Sequence, residues 1–243
     1  MPGNSRVAAR PVSGRGKKPM TDPREDLIHA CRELTRLGLT HGKSGNISVR
    51  VDAQRFFVSP TGMAYDALEP GDIPVMDMGG RWYGRRRPSS EWRFHLDILK
   101  SRPEVNAIVH VHSPKATALA CTGRGIPAFH YMVAVAGGPD IRCAPYHTFG
   151  SQELSSAAAA ALDGRLACLL ANHGLITLGA DLRSAVALAG EVESLAAQYC
   201  EALNLGQVRI LDDREMNRVL EKFSLYGKQD SPDPGLTFGG ENA

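Results

Sequence analysis

Apolar positions along the first well-patterned stretch recur every third or fourth residue: Leu27, Ile28, Cys31, Leu34 and Leu37. That spacing predicts a helix with one buried stripe. Asp22 as N-cap, Pro23 at N1 and Glu25 at N3 open it, and Gly38 suits its end. Past the Gly-rich loop His41–Asn46 the period changes to two. Residues 47–51 and 55–59 read as strands, the second closing on the turn Pro60-Thr61-Gly62. Ile73–Met78 is a further strand, with Gly79-Gly80 turning back into Arg81-Trp82-Tyr83. Helical spacing returns in Trp92, His95, Leu96 and Leu99, capped by Ser89 or Ser90 and running to about Ser101.

The second half alternates the two periods. Ala107–Pro114 is an apolar, β-branched strand stopped by its proline, and a short helix follows from Ser113 to about Thr122. Ile126–Ala136 is mixed, and Cys143–Tyr146 is a candidate short strand. Ser151–Leu162 is an Ala-rich helix ended by Asp163-Gly164. Ala167–Ala171 is an apolar strand running into Asn172-His173-Gly174, and Leu175–Leu178 continues beyond that turn. Asp181 caps a long helix to about Asn204, with a stripe of Leu182, Val186, Ala189, Val192 and Ala196. A last helix spans about Asp212–Leu225 and ends at Tyr226-Gly227. Strands in the middle with helices around them predict one α/β domain with a central sheet.

Composition narrows the class. With 243 residues, 43% apolar and 22% charged, the chain has the material for one large globular core. Residues 1–20 carry Arg6, Arg10, Arg15, Lys17 and Lys18 and no acid, so the rest of the chain is net acidic although the total is +2. A nucleic-acid surface is therefore not expected. No apolar run approaches the roughly 18–20 residues of a membrane span, so no membrane partner is expected either. The start is basic but lacks the apolar core of a signal peptide. Five scattered cysteines without a CxxC pair fit reduced thiols in the cytoplasm. The expected organisation is a disordered basic extension (1–20), one catalytic domain (21–227) and a flexible Pro/Gly-rich tail (228–243).

Candidate chemistry sits on the strand at 107–114. Residues two apart on a strand point the same way, so His110 and His112 share a face. Hydrogen-bonded core histidines are the commoner reason for such a pair. His173, in a His-Gly turn after another apolar strand, gives the metal reading more weight: three imidazoles with a carboxylate or water complete a divalent metal shell. Glu91 is the candidate carboxylate, although at a helix start it also fits a plain capping role. Three short stretches of small polar residues, Gly45-Asn46, Thr61-Gly62 and Ser89-Ser90, fall at strand ends or helix starts. Their backbone N–H groups and hydroxyls could cradle a phosphate, and turn chemistry alone also accounts for them.

The ordered set GNIS, SPTG, PSSEWRFH, VHVHSP, FHYM-x-AVAGG, APYHTFG and NHGL resembles the class II aldolase/adducin family, and most nearly its L-fuculose-1-phosphate aldolase branch. The match covers roughly residues 22–227. It implies a three-layer α/β/α domain with a mostly antiparallel sheet, in a homotetramer with active sites between subunits. Glu91, His110, His112 and His173 match the zinc ligands, one ion per subunit with other divalent metals possible, and Glu91 also matches the acid/base. Gly45, Asn46, Thr61, Gly62, Ser89 and Ser90 match the stretches that hold the phosphate of a sugar-phosphate substrate. Tyr131 matches a tyrosine that reaches a neighbouring subunit's site and protonates the aldehyde oxygen. Phe149, Phe223 and Tyr226 match residues around the aldehyde. The implied reaction is reversible cleavage of a deoxy-ketose 1-phosphate, of the L-fuculose 1-phosphate type, to dihydroxyacetone phosphate and a small aldehyde such as lactaldehyde. Cleavage of 5-deoxyribulose or 5-methylthioribulose 1-phosphate and a phosphopentose 4-epimerase remain alternatives. A non-enzymatic adducin-like interaction domain would lack the ligands.

Overall fold

In a computed structural model of the chain, residues 22–225 are described. The basic segment 1–20, Tyr226, Gly227 and the tail from 228 lie outside them. Eight strands form one sheet in the order β4-β3-β2-β1-β5-β8-β7-β6. They are β1 (Asn46–Arg50), β2 (Arg55–Val58), β3 (Val75–Asp77), β4 (Trp82–Tyr83), β5 (Ala107–Val111), β6 (Arg142–Ala144), β7 (Ala167–Leu170) and β8 (Gly174–Gly179). Neighbours run antiparallel except β6 and β7, which are parallel.

The alternation of side chains sorts the sheet into two cores. Ile47, Ala107, Val109, Val111, Ala167, Leu169 and Leu175 face one way. They pack with residues of α1 (Pro23–Arg36), α3 (Pro114–Ala120) and α5 (Leu182–Leu205). Phe56, Val58, Ile108, Cys168, Leu170, Ile176 and Leu178 face the other way, against α2 (Trp92–Ser101) and α4 (Gln152–Ala161). This is the expected α/β/α layering. The last helix, α6 (Asp213–Leu225), lies beside a 3-10 helix at Tyr131–Ala136.

Local signals set the helix starts. Asp22 accepts from Arg24 N at 2.9 Å, Ser151 from Leu154 N at 3.1 Å and Asp181 from Ser184 N at 2.7 Å. Each satisfies an amide left open at a helix N-terminus. Four expectations shift. Leu37 is the C-cap of α1 and 42% exposed, because the stripe turns away from the core at the last turn. The α5 stripe is Ala185, Val186, Leu188, Ala189, Val192, Leu195, Ala196 and Tyr199, with Leu182 only half-buried. The short strand is Arg142–Ala144 rather than Cys143–Tyr146, since pairing with β7 ends at Ala144. The α2 helix begins at Trp92, so Glu91, rather than Ser89 or Ser90, is its N-cap residue.

Candidate metal centre

Four donor side chains converge at one end of the sheet. His110 sits on β5 facing the α2 layer. His112 lies just past the strand end and keeps the same parity. His173 stands in the tight connection between β7 and β8, where its N–H bonds Leu170 O at 3.0 Å. Asn172 before it takes φ +53°, a left-handed conformation that asparagine tolerates better than most residues. Gly174 after it permits the close approach. A Cβ there would fall 2.5 Å from Val111 O and 2.9 Å from the His112 ring.

The three imidazoles form a near-equilateral triangle, with ring centroids 4.8, 4.9 and 5.0 Å apart. Glu91 closes the group. Its Oε2 lies 3.3 Å from His110 Nε2 and its Oε1 3.2 Å from His173 Nε2, while His110 and His112 Nε2 are 3.1 Å apart. The donor-to-donor edge of a tetrahedral zinc site with bonds of about 2.0–2.1 Å is about 3.3 Å. These three edges are close to that value and all the donor atoms lie within 4.8 Å of one another, so the cluster fits a divalent cation. Buried Glu91 Oε1 faces the His173 ring at 3.2 Å without hydrogen-bond geometry, which leaves an acceptor position suited to a cation. His110 Nδ1 donates to Leu175 O at 3.0 Å, which leaves the Nε2 lone pair facing the centre.

Burial would raise the Glu91 carboxyl, but the neighbouring His110 and His173 imidazoles outweigh it and hold Glu91 well below the usual carboxylate range. Burial, reinforced by His110 and His173, pushes His112 down to about 4. Neutral imidazole and ionised carboxylate are the forms that bind metal.

Glu91 is held from behind. Phe94, Ile98 and Leu99 of α2 are almost fully buried. Each contributes about 1.5–3 kcal/mol relative to exposure, so the helix that carries Glu91 is firmly seated. The loops on either side of the cleft are laced together. Ser89 N donates to Ser59 O at 3.0 Å, Thr61 N to Arg87 O at 3.1 Å and Glu91 N to Ser89 Oγ at 3.2 Å.

A cleft of about 290 Å³ opens onto the cluster. Gly45, Asn46, Thr61, Gly62, Ser89, Ser90, Glu91, His112, Phe149 and His173 all line it, so the sequence candidates for metal and phosphate converge there, with His110 in the wall behind. Tyr131 and Phe223 do not join them within one chain. Their rings lie 6.5 Å apart in a separate hollow with Phe129, Leu211 and Val219. Sequence reasoning passed over Lys43, Tyr146, His147 and Asn172, which also line the cleft. It also assigned His95 to an apolar stripe. One helical turn from Glu91 to His95 was the available signal.

A family model described as Class II Aldolase and Adducin N-terminal domain matches residues 25–200. The chain belongs to the class II aldolase and adducin family. It is a class II aldolase, a lyase acting on carbon–carbon bonds. Class II aldolases use a divalent metal, in keeping with the His/Glu cluster. A 5-methylthioribulose-1-phosphate/5-deoxyribulose-1-phosphate aldolase of Rhodospirillum rubrum is 54% identical over 84% of this chain and 92% of the relative. An L-fuculose phosphate aldolase of Escherichia coli is 47% identical over 83% of this chain and 94% of its own length. Among solved structures, an L-fuculose 1-phosphate aldolase superposes with a TM-score of 0.80 at 42% identity, covering 83% of this chain and 95% of that one. No helix of the described residues is long and apolar enough to cross a membrane.

Proposed function

We propose that this aldolase reversibly cleaves a deoxy-ketose 1-phosphate to dihydroxyacetone phosphate and a small aldehyde. The observation that carries the reading is the convergence of Glu91, His110, His112 and His173 at the end of a cleft walled by three phosphate-type loops. The substrate we favour is 5-deoxyribulose or 5-methylthioribulose 1-phosphate, because the 54% identical relative bears that name. L-Fuculose 1-phosphate, the preference drawn from the motifs, is the second reading, supported by relatives at 47–48% identity. All three offer a deoxy or thioether end, which suits exposed Phe149 at the cleft mouth.

Glu91, His110, His112 and His173 would hold the metal, zinc in our reading. The ion would serve as a Lewis acid towards the ketose carbonyl and spread the negative charge left at C3. The chain's own groups do the rest. Backbone amides of Gly45 and Gly62 and the hydroxyls of Thr61, Ser89 and Ser90 anchor the phosphate, which fixes the C3–C4 bond against the cluster. In cleavage the Tyr131 oxygen takes the proton of the C4 hydroxyl, the C3–C4 electron pair passes to C3, and Glu91, after taking up a proton from solvent, delivers it to C3, while Tyr131 returns its proton to solvent. In condensation Tyr131 gives a proton to the aldehyde oxygen. Its place outside its own cleft supports a neighbouring subunit as the recipient, in a homotetramer located in the cytoplasm. Phe223, beside Tyr131, would then reach the aldehyde end with it.

The test is a panel of the three ketose 1-phosphates, with released dihydroxyacetone phosphate measured by a coupled dehydrogenase. At least one should be cleaved with kcat/KM above about 10⁴ M⁻¹s⁻¹. Release from none of them, or isomerised and uncleaved sugar phosphate, refutes the reading.

A further inference from the structure

His95 is a fully buried imidazole behind the centre, with neither of its nitrogens turned to the cluster. Its Nδ1 lies 2.7 Å from Ser48 Oγ and its Nε2 2.6 Å from Asn46 Oδ1. Asn46 Nδ2 in turn donates to Glu91 Oε2 at 3.0 Å. The parity of β1 explains the grouping. Asn46 and Ser48 share the face opposite Ile47 and Val49, and Asn46 sits directly across from His110 on β5.

The chemistry of the last partner sets the direction of the whole chain. An ionised carboxylate only accepts, so Asn46 must turn its amide nitrogen to Glu91 and its carbonyl to His95. That carbonyl needs a donor, so His95 carries its proton on Nε2. His95 Nδ1 then accepts from the Ser48 hydroxyl. Every donor points towards Glu91, and each bond polarises the next. Without His95 the Asn46 carbonyl loses its donor, and among the described residues only the Glu91 carboxylate still holds the amide in this sense.

We propose that Ser48, His95 and Asn46 form a one-way hydrogen-bond chain that positions Glu91 Oε2, with His95 as the positioning residue. The inference rests on Glu91 being the group that moves a proton at C3. It also gives the Asn46 side chain a duty other than the phosphate, since its carbonyl serves His95 and its amide nitrogen serves Glu91. Phosphate contact from this position would come from the backbone or the remaining amide hydrogen.

The test compares His95→Leu, His95→Gln and Ser48→Ala, each alone and combined with Glu91→Gln, in the metal-loaded full chain. Glutamine keeps a donor near the Nε2 position and leucine does not. Three readouts separate positioning from mere support: metal content per chain, KM against kcat, and solvent-deuterium exchange into the hydroxymethyl carbon of dihydroxyacetone phosphate, which needs no aldehyde. For His95→Leu, kcat and the exchange rate should fall about 10–100-fold, with KM and metal content within about threefold of the parent. His95→Gln should recover most of that loss. In the Glu91→Gln background, removing His95 should cost less than about twofold more, because the proton-moving carboxylate it serves is already gone. Ser48→Ala, which cuts only the outermost bond, should cost a few-fold and serves if the leucine variant does not fold. Equal losses for leucine and glutamine, a change confined to KM, or losses that multiply with Glu91→Gln overturn the inference while leaving the Glu91 role standing. Undiminished exchange in Glu91→Gln alone overturns both.

Discussion

The cleft around Glu91 and the hollow around Tyr131 are built in opposite ways. In the cleft, chemistry is carried by the sheet. His110 is fully buried, Glu91 is 6% exposed, and their partners come from strands whose register is set by the ladder. In the hollow, Tyr131 stands 52% exposed on a short 3-10 helix, its ring stacked on His130 at 4.8 Å and tilted towards Phe223 of α6 at 6.5 Å. The first site is assembled within one chain. The second is a surface whose proposed work, delivering a proton to an aldehyde, needs another subunit's cleft. In the proposed mechanism, ligands fixed at one end of the sheet and a proton donor at the rim divide precise placement from access.

The comparison breaks most sharply on the ligands. His110→Ala and His112→Ala should each release the metal and with it essentially all aldol cleavage, measured by metal analysis of the dialysed protein. Full occupancy in both variants would remove the sheet-borne site. Glu91→Gln should keep part of the metal while cleavage falls about 10²–10⁴-fold, the usual range for a lost general acid/base. Tyr131→Phe tests the other side. It should lower kcat by about tenfold or more without touching metal content, and mixing it with Glu91→Gln protein under conditions of subunit exchange should restore some activity. No recovery from properly mixed tetramers would place the tyrosine's work within its own chain.

The smallest effect is on stability. Burial, helped by His110, pushes His95 down to about 3 and His112 stands near 4, while both would be near 6.5 in an unfolded chain. Above about pH 6.5 neither state takes these protons. As pH falls below that, the unfolded chain binds protons that the folded one refuses, so stability declines until the folded values are reached. For His95 alone the slope is about 1.4 kcal/mol per pH unit at most. Urea midpoints of the metal-free protein should fall between pH 7 and 5, less steeply in His95→Gln. Unchanged midpoints across that range would argue against a buried neutral imidazole.

Much of the candidate site could be read from residues close in sequence. The parity of His110 and His112, the turn that carries His173, and the caps Asp22, Ser151 and Asp181 follow from periods of two and 3.6 and from short side chains next to open amides. The seven ordered motifs added the family, and with it Glu91 as the proposed fourth ligand. The role of His95 was not legible. It fits an apolar helix stripe by spacing, and nothing local shows that the strand behind it offers Asn46 and Ser48. Tyr131 and Phe223 were named from the same resemblance, yet only the packing of α6 puts them together and away from Phe149.

The sequence by itself determined which side chains share a face and where helices begin, because those are properties of a few adjacent backbone units. Tertiary structure decided which faces meet. Asn46 and Glu91 are 45 positions apart, His95 and Ser48 47, and His110 and Leu175 65. Strand order and register bring them within hydrogen-bond distance, and both are set by the summed packing of two cores, which no short stretch of chain contains.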